Sequence, residues 1–458
     1  MISRVARRIL SCIFKIIVEE LSNRLSIAFS LLLVAIAIVP GLVLLDGLVA
    51  QSLIAVLAAA ALAFVGISAR AADVNFAAQV TRRLKLAAAV PAIWMVLQIL
   101  PMPFSRVSHS IWINAGEALD QFSWGHISVD IGKTVLALVF YLANISLIAV
   151  SVFAAKDRRR AEIALFALTA ITTLTTIGLL VGKTGLIAGL ASSGMNEILG
   201  AISSLGIIFS LTAGVRAVER YESRPTDPTR PARNIQLALA IYGAGLLVCL
   251  AGLAASATLN VALTVAFGAV VFCSIQAIRR VGLESWALGI FIATMITAAA
   301  MIILWRYDSA RMLSPFLQFA SAASPESISV AQRILSDTGW LGTGAATYAP
   351  LLPIYQELGS SVTNAPSTAS AFAIELGWPM ALFAIAVTIG VVIMLYRGAL
   401  VRGRDSFYPA AAAACGVIML GQAFCDTSLL HSCVAVVADA VIGLGLAQSV
   451  SHRDGAQP

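Results

Sequence analysis

Charge is what this sequence has least of. Only 12% of its 458 residues are Asp, Glu, Lys or Arg, about half the share a water-soluble domain spends on its surface. With a mean hydropathy of +0.92, a soluble globular fold is excluded. Histidine is equally scarce, with four in the chain. The six cysteines, at 12, 249, 273, 415, 425 and 433, form no CxxC pair and no Cys/His cluster at ligand spacing, so no metal site is expected. They read as small core hydrophobes; Cys425 and Cys433 both approach one face, yet a bridge there is not the expectation. No GxxxxGK[ST] loop is present, which removes a nucleotide-driven motor. No basic patch carries interleaved aromatics, so the net charge of +7 does not point to nucleic acid.

What is present is apolar sequence in long runs. Segments of about 20 apolar residues, the length a bilayer requires, fall at 25–45, 48–69, 85–102, 132–155, 161–182, 195–217, 234–255, 257–278, 284–305, 368–396, 407–425 and 427–447. The expected fold class is therefore all-α, a polytopic bundle of about 12 transmembrane helices. Residues 1–24 place Ile2, Val5, Ile9, Ile13, Ile16 and Ile17 opposite Arg4, Arg7, Arg8 and Lys15, the pattern of a helix lying on an anionic leaflet. No small-residue cleavage site closes the next apolar run, so a removed signal peptide is not expected. With that N-terminus inside, 24 of the 30 basic residues fall in inner segments, which sets both termini in the cytoplasm. The exceptions are Arg106, Lys133, Lys183, Arg306, Arg311 and Arg333.

The expected organisation is thus 1–24, a basic amphipathic helix; 25–305, spans one to nine; 306–367, a long outer loop; 368–447, spans ten to twelve; and 448–458, a cytoplasmic tail. A second long outer loop, about 103–131, carries His109 and His126, with Ile111, Trp112, Ala115, Leu119 and Phe122 on one helical face. Long loops are functional or disordered, and the composition of both favours order. In 306–367, Ser336 and Asp337 mark a helix end, Gly342 and Gly344 a turn, and Tyr348 to Tyr355 a short helix holding Pro350 and Pro353.

The run from Arg333 through Asp337, Gly342, Gly344 and Tyr348, with ProIleTyrGln at 353–356 and GluLeuGlyTrpPro at 375–379, resembles the bacterial O-antigen ligase and polymerase family. LeuProMetProPhe at 100–104, SerHisSerIleTrp at 108–112 and HisIleSerValAsp at 126–130 look like the matching first loop. The resemblance implies a GT-C-like, metal-independent and cofactor-free glycosyl-transferring protein of the bacterial inner membrane, with the 306–367 loop in the periplasm between helices 9 and 10. Its substrate would be an undecaprenyl-diphosphate-linked oligosaccharide held in the lipid bilayer, and a chain-length regulator or export complex would be its partner. Three departures stand in the motifs. Met380 replaces a usual Gly, TNAPST at 363–368 lacks the family's His, and SerGlyMetAsnGlu at 193–197 lacks its Arg. The last two point away from ligation and towards polymerisation of O-antigen or exopolysaccharide repeat units, or towards a divergent relative that has lost activity.

Within that expectation, Arg333, Arg311 and Arg306 would grip the diphosphate, because a guanidinium fork contacts two phosphate oxygens at once. Glu357, Asp337 and His431 are the candidate proton acceptors near that face, and Tyr348, Tyr355 and His109 the candidate sugar contacts. The rival reading is a secondary transporter or flippase for lipid-linked saccharides. It rests on Asp439, a carboxylate inside the last span. A non-catalytic member of an export complex is the third.

Overall fold

The computed structural model describes residues 24–45, 47–69, 71–82, 84–102, 108–120, 124–184, 194–222, 233–256, 259–281, 313–320, 323–357, 359, 362–401 and 405–449. In chain order the helices are α1 (Arg24–Ala37), α2 (Val39–Leu42), α3 (Gly47–Ser68), α4 (Ala71–Thr81), α5 (Leu84–Ile99), α6 (Ser110–Leu119), α7 (Ile131–Ala154), α8 (Arg158–Lys183) and α9 (Met195–Glu222). They continue as α10 (Arg233–Ser256), α11 (Leu259–Val281), α12 (Pro325–Asp337), α13 (Tyr348–Tyr355), α14 (Thr368–Glu375), α15 (Trp378–Val401), α16 (Phe407–Cys425) and α17 (Ser432–Ser449). Among the described residues, nine helices are long and apolar enough to cross a membrane: α3, α7 to α11, and α15 to α17. The chain is a polytopic helical membrane protein.

The centre of the bundle is α16, whose residues 407–419 are all buried. Its alanine run explains this: side chains that end at Cβ let α9, α11, α15 and α17 approach closely, which is how helices gain packing where lipid removes the hydrophobic drive. Leucine, isoleucine and valine instead dominate the outward faces of α3 and α10, where Val56, Ile67, Leu237 and Leu247 are exposed.

Two expected spans differ. The run 368–396 is two helices, because Gly377 takes φ +86° between them and Pro379 then opens α15, where its missing N–H costs nothing. The run 25–45 is broken after Ala37, with Pro40 inside the one-turn α2. The amphipathic helix at 1–24 (all but Arg24), the span 284–305, Arg306, Arg311 and nearly all of the C-terminal tail lie outside the described residues.

The two ends of the bundle are chemically distinct. At one end Lys156 meets Asp73 at 2.8 Å, Arg158 meets Asp405 at 2.8 Å, Arg216 and Arg220 share Glu162, and Arg279 lies 3.9 Å from Glu219. At the other end both long loops fold over the helix termini.

Candidate functional site

The two loops are tied together by polar groups in the last turns of α5 and the first of α7. Gln98 is fully buried, and its Nε2 donates to the carbonyls of Leu341 (3.1 Å) and Glu375 (3.0 Å). Trp94 Nε1 donates to Leu376 O at 2.9 Å. Val129 N donates to Thr343 O at 2.8 Å, and Thr134 Oγ1 to Ala345 O at 3.1 Å. Residues 340–345 thus run between the first loop and the corner that joins α14 to α15. Two glycines make the approach possible. A Cβ on Gly377 would lie 2.1 Å from Trp340 O, and one on Gly344 (φ +107°) would lie 2.4 Å from Ser128 Oγ, separations no side chain tolerates.

Glu375 locks the far side of this turn. Its carboxylate accepts the N–H of Ala346 (2.9 Å) and of Tyr348 (3.1 Å), fixing the start of α13. Ala346 sits at φ +60°, a conformation that costs an alanine roughly 1–2 kcal/mol. The two N–H bonds hold it there. Desolvation pushes the Glu375 carboxyl up to about 7, against the opposing pull of those same two N–H groups.

The result is a cleft of about 280 Å³ between the loops. The first loop contributes Ser108 and His109, and the second Asp337, Thr338, Trp340 and Tyr355. Asp337 is the last residue of α12, and burial, with the neighbouring Asp337 carboxylate adding to it, raises the Tyr355 phenol above its ordinary value. His109 caps α6: its Nδ1 accepts the Ile111 N–H at 3.3 Å, and burial holds the imidazole below its ordinary value. A neutral ring whose Nδ1 is an acceptor carries its proton on Nε2. His109 therefore has an Nε2–H to donate and no free lone pair on that nitrogen to act as a base.

The structure brings His109, Asp337 and Tyr355 together and sets the other candidates apart. Arg333 lies one turn before Asp337 on α12, on the same face, and pairs with Glu357 at 3.9 Å with both side chains substantially exposed. Neither lines the cleft. Tyr348 is 4% exposed, packed among Leu317, Val330, Ile334 and Leu351, so burial in the loop core keeps it from the cleft wall.

His431 belongs to a different cluster, at the start of α17. Burial keeps its imidazole below the ordinary value, while Glu197 pulls the other way. Glu197 accepts the N–H (3.1 Å) and hydroxyl (2.5 Å) of Thr427, and Asp426 accepts the Ser428 N–H at 3.0 Å and its hydroxyl. Beside them Lys183 is held by Asn196 Oδ1 at 3.1 Å and by the Ala255 carbonyl. His126, the remaining histidine of the first loop, is hydrogen-bonded through Nδ1 to Ile99 O at 2.8 Å and stacked edge-on to Trp112. Among the described residues no group of three His, Cys, Asp or Glu side chains converges on one point.

Trp94, Gln98 and Trp340 carry none of the motif signals that single out catalytic side chains. Gln98 left one trace: an amide in the last turn of an apolar run, where a polar residue needs a buried partner. Fold and site together define a polytopic helical membrane protein with a polar cleft built by two loops at one end of its bundle. Comparison with protein-family models and with curated proteins gives no match.

Proposed function

We propose that the protein transfers glycosyl units between lipid-diphosphate-linked saccharides at the outer face of the bacterial inner membrane, polymerising repeat units of a surface polysaccharide. The observation that carries this reading is the meeting of His109, Asp337 and Tyr355, from two separate loops, on one open cleft at the end of the bundle opposite the arginine-rich one. A neutral imidazole donor, a phenol and a carboxylate suit a polyhydroxylated ligand. Asp337 is placed to take the proton of an acceptor hydroxyl as that oxygen attacks the anomeric carbon. The bond from that carbon to the diphosphate breaks, and the diphosphate departs towards Arg333, with Arg306 and Arg311 proposed to share its charge. The same reading takes the bundle as GT-C-like with about twelve spans, both termini cytoplasmic and the 306–367 loop periplasmic.

A second reading, a transporter or flippase for lipid-linked saccharides, is favoured by one observation. Asp439 is buried within α17 and its Oδ2 has no hydrogen-bond partner in the structure. Surface polysaccharide from a deletion strain separates the two. Polymerisation predicts loss of the long-chain ladder with single repeat units retained at the periplasmic face, and transport predicts those units held on the cytoplasmic side. An unchanged ladder contradicts both.

A further inference from the structure

Trp340 is a residue that the proposed chemistry leaves unused. It stands at the cleft wall with 60% of its surface exposed, while its backbone is tightly packed. Its carbonyl packs against Gly377 so closely that a Cβ there would approach to 2.1 Å, and Gly342 N closes the turn onto Gly339 O at 3.1 Å. Single exposed apolar residues are common and need no cause. An exposed indole carried on a tightly packed backbone and set on one cleft with a carboxylate, a phenol and an imidazole is a different arrangement.

We infer that Trp340 is the stacking platform of a saccharide-binding subsite in this cleft, with Asp337 and the His109 Nε2–H reading the hydroxyls of the same sugar. The inference deepens the glycosyl-transfer reading and rests on it for the identity of the ligand class. An indole face presents a flat, electron-rich surface, which suits the C–H-bearing face of a pyranose ring. The ring's edge carries the hydroxyls, and these need partners of fixed direction. Asp337, at the end of α12, accepts two hydroxyls as a carboxylate does, and His109 supplies the complementary donor. Tyr355 stands beside Asp337 on the wall of the same cleft. The competing role for an exposed tryptophan on a membrane protein is an anchor in the lipid interface, and the experiment separates the two.

The full chain in nanodiscs, compared with Trp340→Phe, isolates the emission of Trp340 from that of the other six of the seven tryptophans in the chain. The probe is the mixture of oligosaccharides released by mild acid from the host's own surface polysaccharide. The expected result is that acrylamide quenches Trp340, that the oligosaccharides protect it, and that brominated phospholipid leaves it unaffected. Trp340→Ala should weaken saccharide binding about tenfold and Trp340→Phe by less, since a phenyl ring retains part of the stacking. Quenching by brominated phospholipid, or acrylamide quenching that saturating oligosaccharide does not alter, overturns the subsite. The two readings fail separately. A deletion strain with an intact ladder and a protected Trp340 overturns glycosyl transfer alone, whereas a lost ladder with unprotected Trp340 overturns the subsite alone.

Discussion

Two polar regions lie at the loop end of the bundle, and they use similar side chains to opposite ends. Around α17, Glu197, Asp426, Thr427 and Ser428 are bonded to one another, and Asp426 is 1% exposed. In the cleft, Asp337 and His109 line an open space, and His109 caps α6 through one ring nitrogen. In the sealed cluster burial pushes the Asp426 carboxyl up to about 6. That perturbation has a structural origin: the carboxylate orders the turn that connects α16 to α17. A displaced pKa marks burial, and burial alone does not make a binding site.

Substitutions at the two regions should therefore separate stability from activity. The largest effect on the fold is expected at the hinge beneath the cleft. Gly377→Ala forces a Cβ onto Trp340 O at a left-handed φ and should cost more than about 3 kcal/mol. Gly390→Ala, where a Cβ meets nothing within 4 Å, should leave the thermal midpoint in detergent within about a degree or raise it, since alanine is the better helix former. Equal losses at both positions would mean that the close approach at the hinge is not what holds the cleft wall.

Next in size is Asp426→Ala in the sealed cluster. It leaves the Ser428 N–H and hydroxyl without an acceptor, at about 2–3 kcal/mol. A melting curve unchanged by this substitution would erase the contrast between the two regions.

Glu375→Gln should cost about 1–2 kcal/mol, because one of two N–H groups then faces an amide N–H₂. It also tests a pH dependence whose sign follows from linkage. The folded-state carboxyl titrates near 7 and the unfolded one near 4.5, so the folded chain binds this proton more tightly. Stability gained from Glu375 is fully present below about 4.5 and is lost as pH rises through 7. The wild-type melting midpoint should thus fall between pH 5 and pH 8 by more than that of Glu375→Gln, and parallel curves would refute the assignment.

The smallest effect belongs to Arg333 and Glu357. Their 3.9 Å exposed pair should contribute less than about 0.5 kcal/mol, so Glu357→Ala should melt as wild type.

Fold class was legible in composition and run length, because a bilayer imposes one length on every spanning helix. The loop turn was also legible at Gly342 and Gly344, where a Cβ would clash, whereas the break at Gly377 was hidden inside an unbroken apolar run. What the sequence concealed is which polar residues share a space. Asp337 and Glu357 look alike in a linear reading, yet one lines the cleft and the other is solvated. Tyr348 and Tyr355 lie two turns apart on one face of the same short helix, and only the loop packed over each end makes the first buried and the second part of the cleft. Such differences depend on contacts with α5 and α7, more than 200 residues away in the chain.

The most direct measurement is elongation of a polyprenyl-diphosphate-linked repeat unit by the purified full chain, comparing wild type with Asp337→Asn at equal melting temperature. The cleft account predicts elongation by the wild type and a rate roughly 100-fold lower for the variant. Elongation by Asp337→Asn at the wild-type rate would contradict it.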